Sequence, residues 1–174
     1  LSPMIGRDFF PTVDSGQMRL HARAPSGTRI EQTELVFAAI EDEIRQVIPR
    51  GELDTFIDNI GLPLGGVNLA MGDAPTIGYS DGEILISLNK EKHGPVEEYT
   101  QKIRKRLNEK FPDVVFCFEA ANITNQILNF GLPAPIEVQI MGRNPQLGFA
   151  TAEELRRKIA LIPGAADVHV HQTN

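Results

Sequence analysis

The placement of two amphipathic helices among short alternating segments constrains the fold of this chain more than any other feature of its sequence. The first alternating segment lies in residues 17–25, where every second residue is apolar, as in a strand with one buried face. Apolar residues then recur every three or four positions, which predicts a helix with one buried side. These helix residues are Val36, Ile40, Ile44, Val47 and Ile48. Thr28 and Glu31 have the spacing of a capping box at the start of this helix.

A similar pattern continues along the chain as far as residue 118. It predicts strands at residues 53–60, 83–89 and 114–118 and a helix at 95–110. The resulting order of strand, helix, strand, strand, helix, strand is that of a ferredoxin-like split βαβ fold, with both helices on one face of an antiparallel sheet. The predicted fold class is therefore α+β.

Residues 134–174 carry a shorter pattern of one strand, one helix and one strand. The strands are expected at residues 136–140 and 167–171, with Thr151 and Glu154 as a second capping box between them. Three elements seldom bury a core by themselves, so this part is interpreted as an incomplete βαβ portion of a second, similar subdomain. Three of its apolar residues are expected to remain exposed: Ile136, Val138 and Ile140.

The composition excludes several classes of function. With 17 basic and 23 acidic residues among 174, the net charge of -6 argues against a nucleic-acid partner, because phosphate binding requires clustered positive charge. Its single cysteine, Cys117, excludes an internal disulfide and a multi-cysteine metal site. The sequence shows no phosphate-binding loop and no nucleophile paired with a base, so we expect neither enzymatic activity nor a cofactor.

One pair of histidines raises the question of a metal. His169 and His171 are two residues apart, which would place both rings on one face of a strand, where they could chelate an ion. The pattern supplies no third ligand. We therefore interpret the pair as part of a polar, partly exposed strand face, and expect no bound metal.

The open face of the predicted sheet carries the strongest functional signal. Since the apolar side of the first strand must pack under the helices, His21 and Arg23 are expected on the opposite, open face. Phe116 and Phe118 are expected to join them, while Cys117 between them packs under the helices. Exposed aromatic residues rimmed by polar groups mark a ligand or partner surface. The alternative is that both phenylalanines bury against the second subdomain or a long loop.

Three motifs in order resemble the second periplasmic insertion of resistance-nodulation-division efflux transporters. Residues 6–17 and 24–28, GRDFFPTVDSGQ and APSGT, resemble the exit from the membrane and the start of the first porter subdomain. Residues 133–142, PAPIEVQIMG, and 162–168, IPGAADV, resemble two segments of the second porter subdomain.

The resemblance implies a division of the chain into four parts. Residues 1–16 would be a membrane-exit segment and 17–120 the first porter subdomain. Residues 121–133 would be a connector, and 134–174 part of the second subdomain. The chain would then be a periplasmic domain of a bacterial inner-membrane protein.

The resemblance also implies a function, that of a substrate vestibule in a proton-driven multidrug pump that exports amphiphilic small molecules. The whole transporter would be a homotrimer that works with a periplasmic adaptor protein and an outer-membrane channel. The implied substrate contacts are His21, Arg23, Phe116 and Phe118, with Leu69 and Met71 from the Gly- and Pro-rich loop at 61–82. Two alternatives remain, a purely structural module for subunit packing and a member of the heavy-metal export branch.

Overall fold

A four-stranded antiparallel sheet, with strand order β2-β3-β1-β4, organises the first part of the chain. The computed structural model describes residues 14–61, 78–119 and 136–170. Its elements are β1 (Gln17–Arg23), α1 (Ile30–Val47), β2 (Leu53–Ile60), β3 (Asp81–Leu88), α2 (Val96–Lys110), β4 (Val115–Glu119) and α3 (Pro145–Ile159). The strand order is that of a split βαβ arrangement, in which β3 lies between β1 and β2 and β1 lies between β3 and β4. The predicted α+β class is confirmed.

Both α1 and α2 pack on the same face of the sheet, as the sequence predicts. Strand β1 contributes every second residue to this core because successive side chains of a strand point to opposite faces. The core joins buried residues of the sheet to buried residues of both helices: Met18, Leu20, Ala22, Ile84, Ile86, Leu88, Phe37, Ile40, Ile44, Ile103 and Leu107. Ile40, Ile44 and Ile48 confirm the predicted side of α1, while Phe37 is a core residue outside that prediction.

Neither predicted capping box forms. Helix α1 follows Arg29 without a side-chain cap, and the Thr28 hydroxyl instead donates to the carbonyl oxygen of Pro25 at 2.7 Å. Helix α3 begins at Pro145, where the Asn144 side chain accepts two backbone N–H groups at 3.1 and 3.2 Å. Asn before Pro is a strong helix start, because Asn satisfies unpaired N–H groups and Pro has none to satisfy. Thr151 consequently lies inside α3.

The two strands expected after residue 134 do not form paired strands. Residues 136–140 and 168–170 belong to no sheet ladder. A strand is stabilised when a neighbour pairs with its backbone, and neither segment has a strand partner among the described residues. The expected exposure of the apolar residues is confirmed, since Ile136, Val138 and Ile140 are 83%, 56% and 40% exposed.

Several sequence predictions fall outside the described residues. They concern most of the membrane-exit segment, most of the loop at 61–82 with Leu69 and Met71, and the connector at 121–133. The four-part division of the chain therefore stays a prediction. Among the described helices, none has the length and apolar character needed to cross a lipid bilayer.

The close approach of β3 to α1 predicts that Gly82→Ala destabilises the fold. A Cβ at residue 82 would lie 2.6 Å from the Phe37 ring and 2.7 Å from the backbone oxygen of Asn59, which cannot move without disturbing β2. Overpacking of this kind costs about 1–3 kcal/mol of unfolding free energy, measurable by urea denaturation. Gly51→Ala is the matched control, because nothing lies within 4 Å of its added Cβ. Equal stability of the two variants would contradict this account of the packing.

Candidate functional site

The sheet face opposite the helices carries seven titratable side chains, three of which are buried. They alternate with core residues of β1, β3 and β4: Arg19, His21, Arg23, Asp81, Glu83, Cys117 and Glu119. His21 and Cys117 are each 2% exposed, and Asp81 is 1% exposed. Buried polar groups must be paired to be tolerated, so the contacts of this face determine what it can do. We call these seven residues the polar face.

Asp81 is the anchor of the polar face. One of its carboxylate oxygens lies 3.2 Å from His21 Nε2 and accepts a hydrogen bond from Arg23 Nε at 2.6 Å. Burial by itself would raise the pKa of Asp81, but the hydrogen bonds from His21 and Arg23 outweigh it and lower the pKa. Asp81 is therefore a fixed anion that holds two side chains of β1 in place.

Two further carboxylates lie beside His21. The Arg19 guanidinium is 3.9 Å from Glu83 and 3.8 Å from Glu119, so it bridges β3 and β4. Burial raises the pKa of Glu119 to about 7, and the negative charge of Glu83 adds to this effect. Glu83 and Glu119 are thus two acidic groups held close together under one arginine.

His21, Glu83 and Glu119 form a cluster of metal-binding groups in the described part of the chain. One ligand atom from each lies within 4.8 Å of the other two. The Nδ1 atom of His21 is buried and has no hydrogen-bond partner among the residues that the structure describes. Ligands that share a Zn²⁺ ion each lie about 2 Å from it, so a small side-chain adjustment would bring all three within coordinating distance. The arrangement can therefore hold a divalent cation.

Residues 167–170, which we call the strap, touch the polar face. Asp167 accepts hydrogen bonds from Arg104 of α2 and from the backbone N–H of Phe118. His169 Nε2 lies 3.9 Å from Cys117 Sγ. Arg23 donates to the carbonyl oxygen of Val170 at 3.3 Å, so the strap contacts residues of β1 and β4.

The structure confirms the predicted face for two candidate residues and contradicts it for two others. His21 and Arg23 lie opposite the helices, although His21 is buried. The placement of Phe116 and Phe118 on that face is wrong. Phe116 is 6% exposed within the core, and Phe118 packs against the same core. Cys117, expected under the helices, is on the polar face.

The pairing of β4 with β1 explains the inversion. Phe116 lies opposite Ala22 and Phe118 opposite Leu20, so both rings share a side with inward-facing residues of β1. Cys117 correspondingly lies opposite His21. A strand that is apolar on both faces gives no sign of which face is inward, and a register shift of one residue exchanges the faces.

Sequence reasoning missed three acidic members of the polar face. The alternation of β3 around Ile84 and Ile86 already places Glu83 outward, and this signal could have identified it. Asp81 and Glu119 lie just beyond the predicted ends of their strands, and the structure extends both strands to include them. Of the proposed histidine pair, His171 lies outside the described residues.

Comparison with known proteins gives a consistent family match. A family model described as the AcrB/AcrD/AcrF family matches residues 1–174. Protein HelA of Legionella pneumophila is 24% identical over 177 residues, which cover 98% of this chain and 16% of HelA. The cation efflux system protein CzcA of Alcaligenes sp. (strain CT14) is 23% identical over 176 residues, which cover 99% of this chain and 16% of CzcA.

Solved structures share the fold. Two crystal forms of a heavy metal efflux pump match with TM-scores of 0.70 and 0.72 at 20% and 18% identity. The matches cover 94% and 93% of this chain and 16% of the pump in each case. The chain thus spans about a sixth of the length of the proteins that it matches.

The pairing of Asp81 predicts that Asp81→Asn is strongly destabilising. The change removes the negative charge that His21 and Arg23 share, and breaking a buried ion pair costs about 3–5 kcal/mol of unfolding free energy. Asp42→Asn is the control, since Asp42 pairs with Arg45 at 2.8 Å with its side chain 73% exposed. Such exposed pairs contribute at most about 1 kcal/mol. Denaturant unfolding that finds equal losses for both variants would contradict the anchoring role of Asp81.

The raised pKa of Glu119 predicts a specific pH dependence of stability. Its folded pKa of about 7 exceeds the ordinary 4.5, so the folded state binds the extra proton between these values and loses stability as pH rises. The unfolding free energy of Glu119→Gln, measured relative to that of the wild type, should therefore rise by about 2–3 kcal/mol between about pH 4 and about pH 8.

A carboxyl group whose pKa is shifted in the opposite direction provides the control. A hydrogen bond from Lys158 lowers the pKa of the exposed Glu154, so Glu154→Gln should show the opposite sign with pH. Unfolding curves at each pH measure both differences. A Glu119→Gln difference that is flat across this range would contradict the raised pKa.

Proposed function

Because the chain belongs to the AcrB/AcrD/AcrF family of resistance-nodulation-division efflux transporters, we propose that it forms part of the periplasmic substrate path of such a transporter and that the substrate is a divalent metal cation. The whole transporter would be driven by proton entry through its membrane part. It would act as a homotrimer with a periplasmic adaptor protein and an outer-membrane channel. Neither the charge of the chain nor the contacts of its described residues indicate a catalytic reaction, so we propose a role in transport alone.

The cluster of His21, Glu83 and Glu119 carries the proposal for a cation. One imidazole and two carboxylates are ligands that Zn²⁺ and similar ions accept. The unpartnered Nδ1 of His21 is a buried polar atom that a bound cation would satisfy. One relative is a cation efflux system protein and one structurally similar protein is a heavy metal efflux pump, which supports the same class of substrate. This proposal departs from our expectation of no metal, which did not consider the cluster of His21, Glu83 and Glu119.

The amphiphile proposed from the sequence is the second candidate. Its original basis is weaker, because Phe116 and Phe118 pack in the core and offer little surface to a ligand. A groove of about 540 Å³ supports it instead, with the exposed apolar residues of 136–140 on one side and Leu155 and Ile159 of α3 on the other. Apolar clefts of this size accept small organic molecules.

Export by the intact transporter distinguishes the two substrates. Glu83→Gln preserves the shape of the side chain but removes a charged ligand, so Zn²⁺ export should fall roughly tenfold or more, as is typical when a metal site is disturbed. Dye export should be unchanged. Glu97→Gln, an exposed change on α2, is the matched control for both substrates.

The outcomes separate clearly, provided that trimer assembly and expression match the wild type. Wild-type Zn²⁺ export by Glu83→Gln would contradict the cation proposal. Loss of dye export with Zn²⁺ transport intact would favour the amphiphile. Loss of both activities with an intact trimer would indicate a general role of the polar face in transport.

A further inference from the structure

Arg19 of β1 lies between the two carboxylates of the proposed cation cluster. In the strand register it stands opposite Glu119 of β4, and His21, two residues farther along β1, stands opposite Glu83 of β3. The Arg19 guanidinium is 3.9 Å from Glu83 and 3.8 Å from Glu119. The fold therefore places one positive charge beside both negative ligands of the cluster.

Arg19 balances the charge of these carboxylates without binding them tightly. An N–H···O hydrogen bond joins atoms about 2.7–3.2 Å apart, so at 3.8 and 3.9 Å Arg19 is a neighbouring charge and not a hydrogen-bond donor. The pair of Arg104 with Asp167 is different, since its atoms lie 2.7 Å apart. Arg19 thus does not tie up the oxygen atoms that a cation would coordinate.

Arg19 is also the member of this group that can move most easily. Its side chain is 31% exposed, whereas those of Glu83 and Glu119 are 12% and 6% exposed. A long arginine side chain can keep its aliphatic part packed while its charged end turns toward water. The guanidinium can therefore withdraw while the two carboxylates stay on the sheet.

Two carboxylates with so little access to water need a positive charge nearby, because their lost hydration is otherwise uncompensated. Arg19 supplies that charge before a cation binds, and a cation held by His21, Glu83 and Glu119 would supply it afterwards. The guanidinium and the cation would repel each other at this short range. Exchange of Arg19 for a monovalent ion gains no positive charge, whereas exchange for a divalent ion gains one.

We propose that Arg19 is a built-in counter-ion of the cation site, which neutralises Glu83 and Glu119 before a divalent cation binds and then competes with that cation. An arriving cation would displace the guanidinium toward water, and the returning guanidinium would favour release. This inference rests on the proposed function, because it takes the cluster as the cation site. Within that function, Arg19 limits how tightly the cation is held and favours divalent over monovalent ions.

The Zn²⁺ affinity of the intact transporter tests this competition. Arg19→Gln removes the competing charge, so the affinity of the site for Zn²⁺ should rise roughly tenfold or more. Titration with Zn²⁺ against a chromophoric chelator measures the affinity, and the binding that is lost in Glu83→Gln identifies the site. In proteoliposomes, KM and kcat for Zn²⁺ export should both fall, because tighter binding mostly reflects slower dissociation.

Three further variants separate the charge of Arg19 from its other contributions. Arg19→Lys keeps one positive charge and should bind Zn²⁺ nearly as the wild type does, because the long contacts of Arg19 do not use the fork of the guanidinium. Arg19→Met keeps a long side chain without charge and should show the same rise as Arg19→Gln. Arg45→Gln is the matched control, since Arg45 also pairs with two carboxylates, Glu41 and Asp42, but on α1. Its Zn²⁺ affinity should equal that of the wild type.

The outcomes distinguish failure of this inference from failure of the proposed function, in variants whose trimer assembly matches the wild type. Unchanged or weaker Zn²⁺ binding by Arg19→Gln and Arg19→Met, with binding lost in Glu83→Gln, would overturn the inference and leave the cation site in place. Equally tight binding by Arg19→Lys and Arg19→Gln would also overturn it, because charge would not be the cause. Zn²⁺ affinity that neither Glu83→Gln nor Arg19→Gln changes would overturn the cation site itself.

Discussion

The pairing of β1 with both β3 and β4 is the constraint on which the rest of the structure depends. As the strand between them, β1 fixes at once which side chains face the helices and which face away. Leu20 and Ala22 build the core on one side, and His21 and Arg23 build the polar face on the other. The same register places Phe116 in the core and Cys117 on the polar face. The register of β1 with its two neighbouring strands therefore determines both the core and the candidate site.

Burial of the polar face is tolerated only because its charges are paired across strands. Asp81 of β3 is surrounded by His21 and Arg23 of β1, and Arg19 of β1 bridges Glu83 and Glu119. These contacts all run between neighbouring strands, so they reinforce the register that the core requires. An ion pair within one helix, such as Arg45 with Asp42, has no such effect and is worth little.

Periodicity is enough to predict the fold of the first part of the chain, but neither the end of the chain nor the site. Strong alternation in β1 and β3 and a clear apolar side on α1 gave the elements, their order and the face of the helices. The strand predicted at residues 114–118 is apolar throughout, so its inward side depends on pairing with residues nearly a hundred positions away, which no local pattern contains. The start of α3 also differs from the prediction, because the helix begins at Pro145 with Asn144 as its cap and not at the predicted capping box farther along the chain. Two carboxylates of the polar face, Asp81 and Glu119, come from strand ends that only the pairing defines.

The balance of charge on the polar face supports a cationic ligand over a neutral one. Three carboxylates, Asp81, Glu83 and Glu119, face two guanidinium groups, Arg19 and Arg23, and Asp81 engages Arg23 directly. Arg19 alone then stands between Glu83 and Glu119, at distances of 3.8 Å or more that are long for a strong ion pair. Burial raises the pKa of Glu119, and the negative charge of Glu83 adds to this effect. A divalent cation beside His21 would add positive charge between these carboxylates, whereas a neutral ligand would add none.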